Sequence, residues 1–352
     1  MGVYFSKGKF YNTVKMLCTS AVNKNQGRIL KEMKTKSATS NKLSWGKRAR
    51  IDLKKNKALY IMLIPAILYY LIFCYGPMYG AIIAFKDYSP RLGILGSNWV
   101  GLKHFISFFE SPYFFRILRN TVGISFSTLI FGFPAPIILA LLINELKSKS
   151  YAKLTQTITY LPHFISLVVV CGMIKDFTLN TGLINNILVM LTGGAWEAKT
   201  LLNSAEYFIP IYVISDIWQG VGWGSIIYLS ALAGIDQQLY EAATIDGAGR
   251  WRQTIHVTIP GILPMIVIML ILRVGGLLNV GYEKIILLYN ESTRETADVI
   301  STFVYRRGLL AEGGSNQWSY STAVGLFNSI INFALIVIAN KISSKLTDTS
   351  LW

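Results

Sequence analysis

The sequence predicts an all-α integral membrane protein of six transmembrane helices with both termini in the cytoplasm. Three observations predict it. Hydrophobic residues make up 52% of the 352-residue chain and charged residues only 15%, against about 25% charged in an average globular protein. The charges are segregated, with 15 of the 34 Lys+Arg preceding Ala58. Apolar stretches of roughly 20 residues, enough helix to cross a bilayer core of about 30 Å, then recur to the end of the chain. Together these exclude a disordered chain, a coiled coil and a soluble α/β enzyme.

Residues 1–57 set their 15 basic side chains against only Glu32 and Asp52. They read as a solvated cytoplasmic tail, with Tyr4–Leu17 as a candidate for contact with anionic lipid. The tail is not a secretory signal, because the first apolar run is too long and too far in. A transmembrane domain at 58–341 follows, with spans near 58–85, 121–144, 154–174, 207–235, 262–282 and 318–340, and then a short cytoplasmic tail at 342–352. Asp216 and Arg273 put one charge each into the fourth and fifth spans. The apolar pieces Leu183–Leu191 and Ile285–Tyr289 are too short to cross and are expected at the outer surface. Outside the N-terminal tail, the cytoplasmic loops and C-terminus hold 7 Lys+Arg in 39 residues and the outer loops 11 in 97. That bias has the sign of the positive-inside rule, and the basic tail adds to it. Trp99, Trp196 and Trp318 fall at predicted outer ends, where indoles favour the interface.

Proline falls in or beside several spans (Pro65, Pro77, Pro134, Pro136, Pro162, Pro210). Neighbouring helices must satisfy the freed carbonyls, so the spans form a bundle. Gly76-x-x-x-Gly80 and Gly220-x-x-x-Gly224 are sites for close helix approach.

No enzyme chemistry is legible. The three cysteines are odd in number, the three histidines stand far apart without ligand spacing, and no Gly-x-x-x-x-Gly-Lys-Ser/Thr loop occurs. The chain is therefore expected to bind no metal and no cofactor, and any ATP and Mg would sit on partner chains. The basic tail is read as membrane-proximal, with no nucleic acid as partner.

The loop between the fourth and fifth spans, 236–260, is the most informative stretch. Asp236 can cap a short helix in which Ile235, Leu239 and Ala242 recur on one face. Gly247 and Gly249 break it, and a second helix, 250–257, is expected to stop at Pro260. Two short helices at an angle would form a rigid knob able to pass a push into the bilayer.

The pattern Glu241-Ala242-Ala243, three residues, Gly247, nine residues, Val257-x-Ile259-Pro260 resembles the EAA loop of ABC importer permeases. Val257 and Ile259 depart conservatively from the usual Ile-x-Leu-Pro. With Asp246-Gly247-Ala248, Tyr160-Leu-Pro162, Asn279-Val-Gly-Tyr-Glu283-Lys, Ala323–Ser329, Ala339–Ser343 and Ser350-Leu-Trp352, the resemblance runs from about Trp45 to the end. It is to the LplB-type oligosaccharide permeases of the carbohydrate-uptake branch, relatives of the maltose-transporter permease. The resemblance implies a type I importer in a bacterial cell membrane. It implies a sister permease in a heterodimer, two ATPase subunits, and an extracytoplasmic binding protein, commonly a lipoprotein, that delivers an oligosaccharide. It implies ATPase coupling through Glu241, Ala242, Ala243, Asp246, Gly247 and Pro260, with Glu241 meeting a basic residue of the ATPase.

Ionisable residues inside a span cost about 2.5–3.5 kcal/mol each at the centre and need a reason. Asp216 and Arg273 fall at similar predicted depths, so either they pair with each other or they hold a polar substrate. Sugars present C–H faces to aromatic rings and hydroxyls to amides and carboxylates, which makes Trp218, Gln219, Trp223, Asn279, Tyr282, Glu283, Asn328 and Asn332 candidate pathway residues. Interface anchoring by the aromatics and helix gluing by the asparagines are the competing roles. An ABC permease for another small polar solute is the nearest alternative function. An ion-coupled secondary transporter is more distant, since it predicts an internal repeat that is not detected.

Overall fold

The computed structural model of the chain describes residues 45–311, 317–346 and 350–351. The first 44 residues of the basic tail, including Tyr4–Leu17, lie outside the described residues, as do 347–349 and Trp352 of the C-terminal tail. The chain divides into two compact units, Met1–Tyr79 and Gly80–Trp352. The described part of the first holds α1 (Trp45–Lys55) and most of α2 (Lys57–Phe85). Among the described residues of the second, the regular structure is helical apart from one short antiparallel pair, β1 (Lys86–Asp87) with β2 (Asn98–Trp99).

In that second unit α3 (Lys103–Phe109) precedes the long α4 (Phe114–Asn144). Then come α5 (Lys149–Phe164), α6 (Leu167–Phe177) and the short α7 (Leu183–Leu191). The 29-residue α8 (Ala205–Ala233) leads into α9 (Gln237–Ile245) and the continuous α10 (Arg250–Gly275). Short α11 (Tyr282–Leu288) and α12 (Ile300–Gly308) separate it from α13 (Trp318–Lys345).

Among the described residues four helices, α2, α4, α10 and α13, are long and apolar enough to cross a membrane, and the bent pair α5–α6 makes up to a fifth. In length α8 also suffices, but it carries Glu206, Asp216 and Gln219 and is not one of those four. Only 17% of the most apolar window of α4, α10 or α13 is buried within the chain. So much exposed apolar surface belongs against lipid or partner subunits rather than water.

The structure corrects three local expectations. First, 154–174 is not one straight span: α5 and α6 meet at 98°. Leu161–Phe164 tightens to a 3₁₀ turn at Pro162, and Ser166 then opens α6 by accepting a bond from the Val169 amide at 3.4 Å. Second, Pro260 stops nothing. A proline removes one N–H and crowds the carbonyl of residue i−4, and here a π-turn at Thr254–Thr258 absorbs the misfit so that α10 runs through. The same device precedes Pro134, at Thr128–Gly132, and Pro77, at Tyr70–Tyr75. Third, Ile285 and Leu288 are 0% and 1% exposed, so α11 is core rather than outer surface.

Three apolar clusters hold the second unit. Ile124, Cys171, Phe208, Tyr212, Val280 and Ile285 join α4, α6, α8 and α11. Phe108, Ile117, Ile300, Phe303 and Val324 join α3, α4, α12 and α13. At the far end of the bundle Ala140, Tyr228, Leu232, Ile235 and Ile262 bind α4 to α8 and α10. Of the two glycine motifs, Gly220-x-x-x-Gly224 packs its second glycine on Pro136. The closest approach belongs to Gly222 between them, where an added Cβ would lie 2.0 Å from the Thr159 carbonyl oxygen of α5.

Near the Phe114 end of α4, Asp298 is fully buried and accepts from both Arg306 terminal nitrogens at 2.8 and 2.6 Å and from Thr302 at 2.7 Å. Arg116 of α4 approaches the same carboxylate at 3.8 Å. At the Asn144 end, Glu145 pairs with Arg250 at 3.6 Å. The loop after α8 and the Asp298 cluster thus sit at opposite ends of a 31-residue helix, about 46 Å apart at 1.5 Å per residue.

Candidate translocation site and coupling loop

The loop 236–260 is built by two helices and one glycine. Asp236 caps α9 by accepting from the Gln238 amide at 3.0 Å. Gly247, at φ +76°, occupies the left-handed position that closes the helix C-terminus, and the Gly247 and Ala248 amides donate to Thr244 and Ala243 carbonyls. Gln253 then donates from Nε2 to Thr244 Oγ1 and to the Ala248 carbonyl, both at 3.0 Å, and Tyr240 bonds Thr258 at 3.0 Å. These bonds lock α9 against the start of α10.

The inward face of α9 differs from the expected one. Leu239 and Ala242 are exposed, while Tyr240 and Ala243 turn towards the bundle. Glu241, Asp246 and Gly247 are exposed on the knob, and Pro260 lies one π-turn beyond it in α10. Beside Glu241 the structure exposes two large apolar residues that periodicity did not single out, Ile245 at 87% and Trp251 at 76%. They suit a protein partner rather than solvent.

Asp216 and Arg273 both line two cavities. One, of about 270 Å³, is polar and is lined also by Tyr212, Gln219, Asn279, Glu283 and Lys284. The other, of about 540 Å³, is more apolar and is lined by Trp223, Gly220, Gly224, Tyr228 and Met269. The ion partner of Asp216 is Lys284 at 3.5 Å, rather than Arg273. The Lys284 side chain is 5% exposed, and its ammonium lies 4.8 Å over the Tyr212 ring and donates to the Tyr212 carbonyl at 3.3 Å. Burial pushes its pKa below the usual lysine range, and Asp216 partly restores it. Lys284 follows directly on Glu283, so its neighbourhood was visible in the sequence, but its direction along α11 was not.

The other candidates divide. Trp223 stacks on His163 with ring centres 4.6 Å apart and planes at 4°, which fixes the indole at the wall of the larger cavity. Gln219 reaches the Ile165 carbonyl at the α5–α6 bend, 3.5 Å away. Trp218 points elsewhere, into an apolar cavity with Ile174, Phe177, Tyr207 and Ile214. Tyr282 stacks on Tyr305 at 5.4 Å and lines neither of the two cavities.

Asn279 Oδ1 accepts from Asn328 at 3.1 Å and Asn332 at 2.9 Å, while Asn332 Oδ1 accepts from the Leu278 amide at 3.1 Å. This clasp fastens the non-helical segment after Gly275 to α13 and leaves Asn279 at the cavity wall. Asn332→Leu is expected to cost about 1–3 kcal/mol, because the buried Leu278 N–H loses its partner. Thermal unfolding of the purified chain, set beside Ser329→Ala on the exposed side of α13, checks it.

An α-helical bundle with polar cavities between its long helices and a rigid knob at one end is the architecture of a membrane permease. Residues 132–347 match the family model described as binding-protein-dependent transport system inner membrane component. The chain belongs to that family. It is 47% identical to protein LplB of Bacillus subtilis (strain 168), over 85% of this chain and 92% of that one. It is 45% identical to the polygalacturonan/rhamnogalacturonan transport system permease protein YteP of the same organism, over 87% and 94%. Among solved structures, a chain of a bacterial ABC transporter involved in the import of the acidic polysaccharide alginate superposes with a TM-score of 0.76 at 44% identity, covering 85% of this chain and 99% of that one. A chain of the alginate transporter in complex with an alginate pentasaccharide-bound periplasmic protein gives 0.77 at 43%, covering 85% and 98%. The fold is therefore that of a type I ABC importer permease, a multi-pass protein of the cell membrane.

Proposed function

We propose that the chain is one of two permease subunits of an ATP-driven importer that moves an oligosaccharide handed over by an extracytoplasmic binding protein. The names of the relatives support the sugar and the binding protein. The observation that carries the coupling is the loop itself: Glu241 stands exposed on a knob locked by Gln253 and Tyr240 and continuous with α10. In this reading two ATPase subunits engage such knobs, one on each permease, and their closure on ATP tilts the helices between inward- and outward-facing states. The crossing helices number six when the α5–α6 pair counts as one span and α8 as another, with both termini cytoplasmic. The cell is bacterial, the sister permease is a different chain, and ATP and Mg are held by the ATPases.

The test is a mild-detergent pull-down of the tagged chain from its native membrane, read by mass spectrometry, with Glu241→Arg in parallel. Wild type is expected to bring down an ATPase and a second permease. The variant should keep the permease and lose the ATPase at least tenfold. Recovery of the chain alone in both samples would overturn the reading.

A further inference from the structure

Helix α8 has a second concave face. Asp216, Gln219 and Trp223 point from it into the two cavities already described. Tyr207, Pro210, Ile211, Ile214 and Trp218 recur on the other side at helical spacing and, with α6 and α7, enclose a third cavity of about 410 Å³. The hydroxyls that line it are spent: Thr178 donates to the Ile174 carbonyl at 2.8 Å and Ser215 to the Tyr212 carbonyl at 2.9 Å. The remaining wall is built from side chains such as Val170, Met173 and Ile184. An apolar cavity of even roughly 150 Å³ stays dry and admits apolar molecules. Neither water nor a sugar suits this space, and hydrocarbon does.

Length and level narrow the hydrocarbon. From Tyr207 to Trp218 the cavity follows 11 residues of α8, about 16 Å at 1.5 Å each, close to one leaflet of a bilayer core of about 30 Å. The Tyr207 end is the one remote from the knob, and there the Leu201 amide ties α8 to the end of α6 by donating to the Thr178 carbonyl at 2.9 Å. Beside it the Lys199 ammonium lies 4.7 Å over the Tyr207 ring and 5.8 Å over that of Trp196. Indole, phenol and ammonium are the groups that gather at lipid headgroups. Lys199 and its ion partner Glu206, 3.3 Å away, are both exposed, and an ammonium has three donors, so a phosphate can share it. The walls continue into exposed apolar surface, Ile214 on α8 and Ile187, Met190 and Leu191 on α7. A partner's helix is too thick: at a diameter of about 10 Å, 16 Å of helix fills about 1,300 Å³, whereas an acyl chain is one methylene wide. We infer that this cavity holds one acyl chain of a phospholipid from the leaflet remote from the knob, its phosphate at Lys199 and its tail reaching Trp218. Trp218 thereby serves the lipid rather than the sugar pathway, whatever the cargo.

The experiment is native mass spectrometry of the tagged full chain with the subunits that co-purify, delipidated in detergent and titrated with dioleoylphosphatidylglycerol. Ile214→Trp fills the cavity from its exposed edge. Leu142→Trp is the control, a residue of α4 outside this cavity with similar exposure, 62% against 66%. Wild type and Leu142→Trp are each expected to retain one more lipid per chain than Ile214→Trp. Lys199→Glu should need at least threefold more lipid to reach half occupancy of that extra copy. Equal retention by wild type and Ile214→Trp would overturn the assignment, and so would an equal loss in Ile214→Trp and Leu142→Trp. An unshifted titration with Lys199→Glu would overturn the headgroup contact. If wild type holds no extra lipid and Ile214→Trp sheds a co-purifying permease, the cavity belongs to side chains of that subunit and the lipid reading falls.

Discussion

Asp298→Asn is expected to destabilise the permease by about 3–5 kcal/mol, the cost of breaking a buried ion pair from one side. Asp298 is 0% exposed and its two oxygens take both terminal nitrogens of Arg306, itself 8% exposed in its side chain. The neutral amide keeps the shape but withdraws the carboxylate charge that faces that guanidinium, and it places two N–H donors where one oxygen had accepted. The Asp298 carbonyl also accepts from Asn120 Nδ2 at 3.0 Å, and the Ile300 amide donates to Thr121 Oγ1, so the loop is pinned to α4 at its backbone as well. The loss should therefore appear as a lower unfolding temperature of a chain that still inserts, followed by heating and size-exclusion chromatography in detergent. Asp298→Asn combined with Arg306→Met should recover more than half of it, because the charge that faced Asp298 is then gone too. Equal loss in the single and the double variant would show that packing rather than charge governs this corner.

The second large effect belongs to Gly222→Ala. The added methyl would sit 2.0 Å from the Thr159 carbonyl oxygen and 2.4 Å from its carbon, both backbone atoms that no rotamer change can move. Overpacking of this kind typically costs about 1–3 kcal/mol and more when nothing can relax. Here the relief is for α5 to part from α8, which also disturbs the Gln219 contact at the α5–α6 bend. Gly220→Ala is the control: its Cβ meets nothing within 4 Å, and alanine favours helix by about 1 kcal/mol over glycine. Gly222→Ala should fail to yield a monodisperse complex while Gly220→Ala matches wild type. Comparable yields would mean that the two helices separate more easily than their packing indicates.

Much of the architecture was legible in the sequence, and the departures have physical causes. Apolar run length points to the long apolar helices α2, α10 and α13, although the expected span 262–282 misses the first twelve residues of α10 and overruns its end at Gly275 by seven. It places the start of α4 seven residues late, because Arg116 and Arg119 interrupt the run, and the structure shows Arg116 beside the buried Asp298. Run length is blind to direction, so a span that turns by 98° at Ile165–Ser166 reads as straight. Proline rules presume an i→i+4 ladder, and the π-turns before Pro77, Pro134 and Pro260 are what that presumption omits.

At the candidate site, residue type singled out two charges and left open whether they pair, and the structure gives Asp216 a different ion partner. Asp216 and Arg273 do share cavity walls, but the ion pair goes to Lys284, from a short helix whose placement depends on the tertiary cluster around Ile285. Gly247 was legible outright, since a positive φ at a helix end asks for glycine. The exposure of Ile245 and Trp251 was not, because an apolar residue in a short helix looks like core until the chain is folded.

The continuity of α10 has a mechanical meaning. From the π-turn at Thr254–Thr258 to Arg273 the helix is a strut of 15 residues, about 22 Å at 1.5 Å each. Its lower end is clamped to α9 by Gln253, and the widened ring of the π-turn is the softest point of the shaft. A tilt of about 10° there swings Arg273 sideways by about 4 Å, a displacement comparable to the diameter of a sugar ring. The elbow sits close to the knob and the guanidinium at the far tip, so a small stroke at one surface is geared up where the two cavities join.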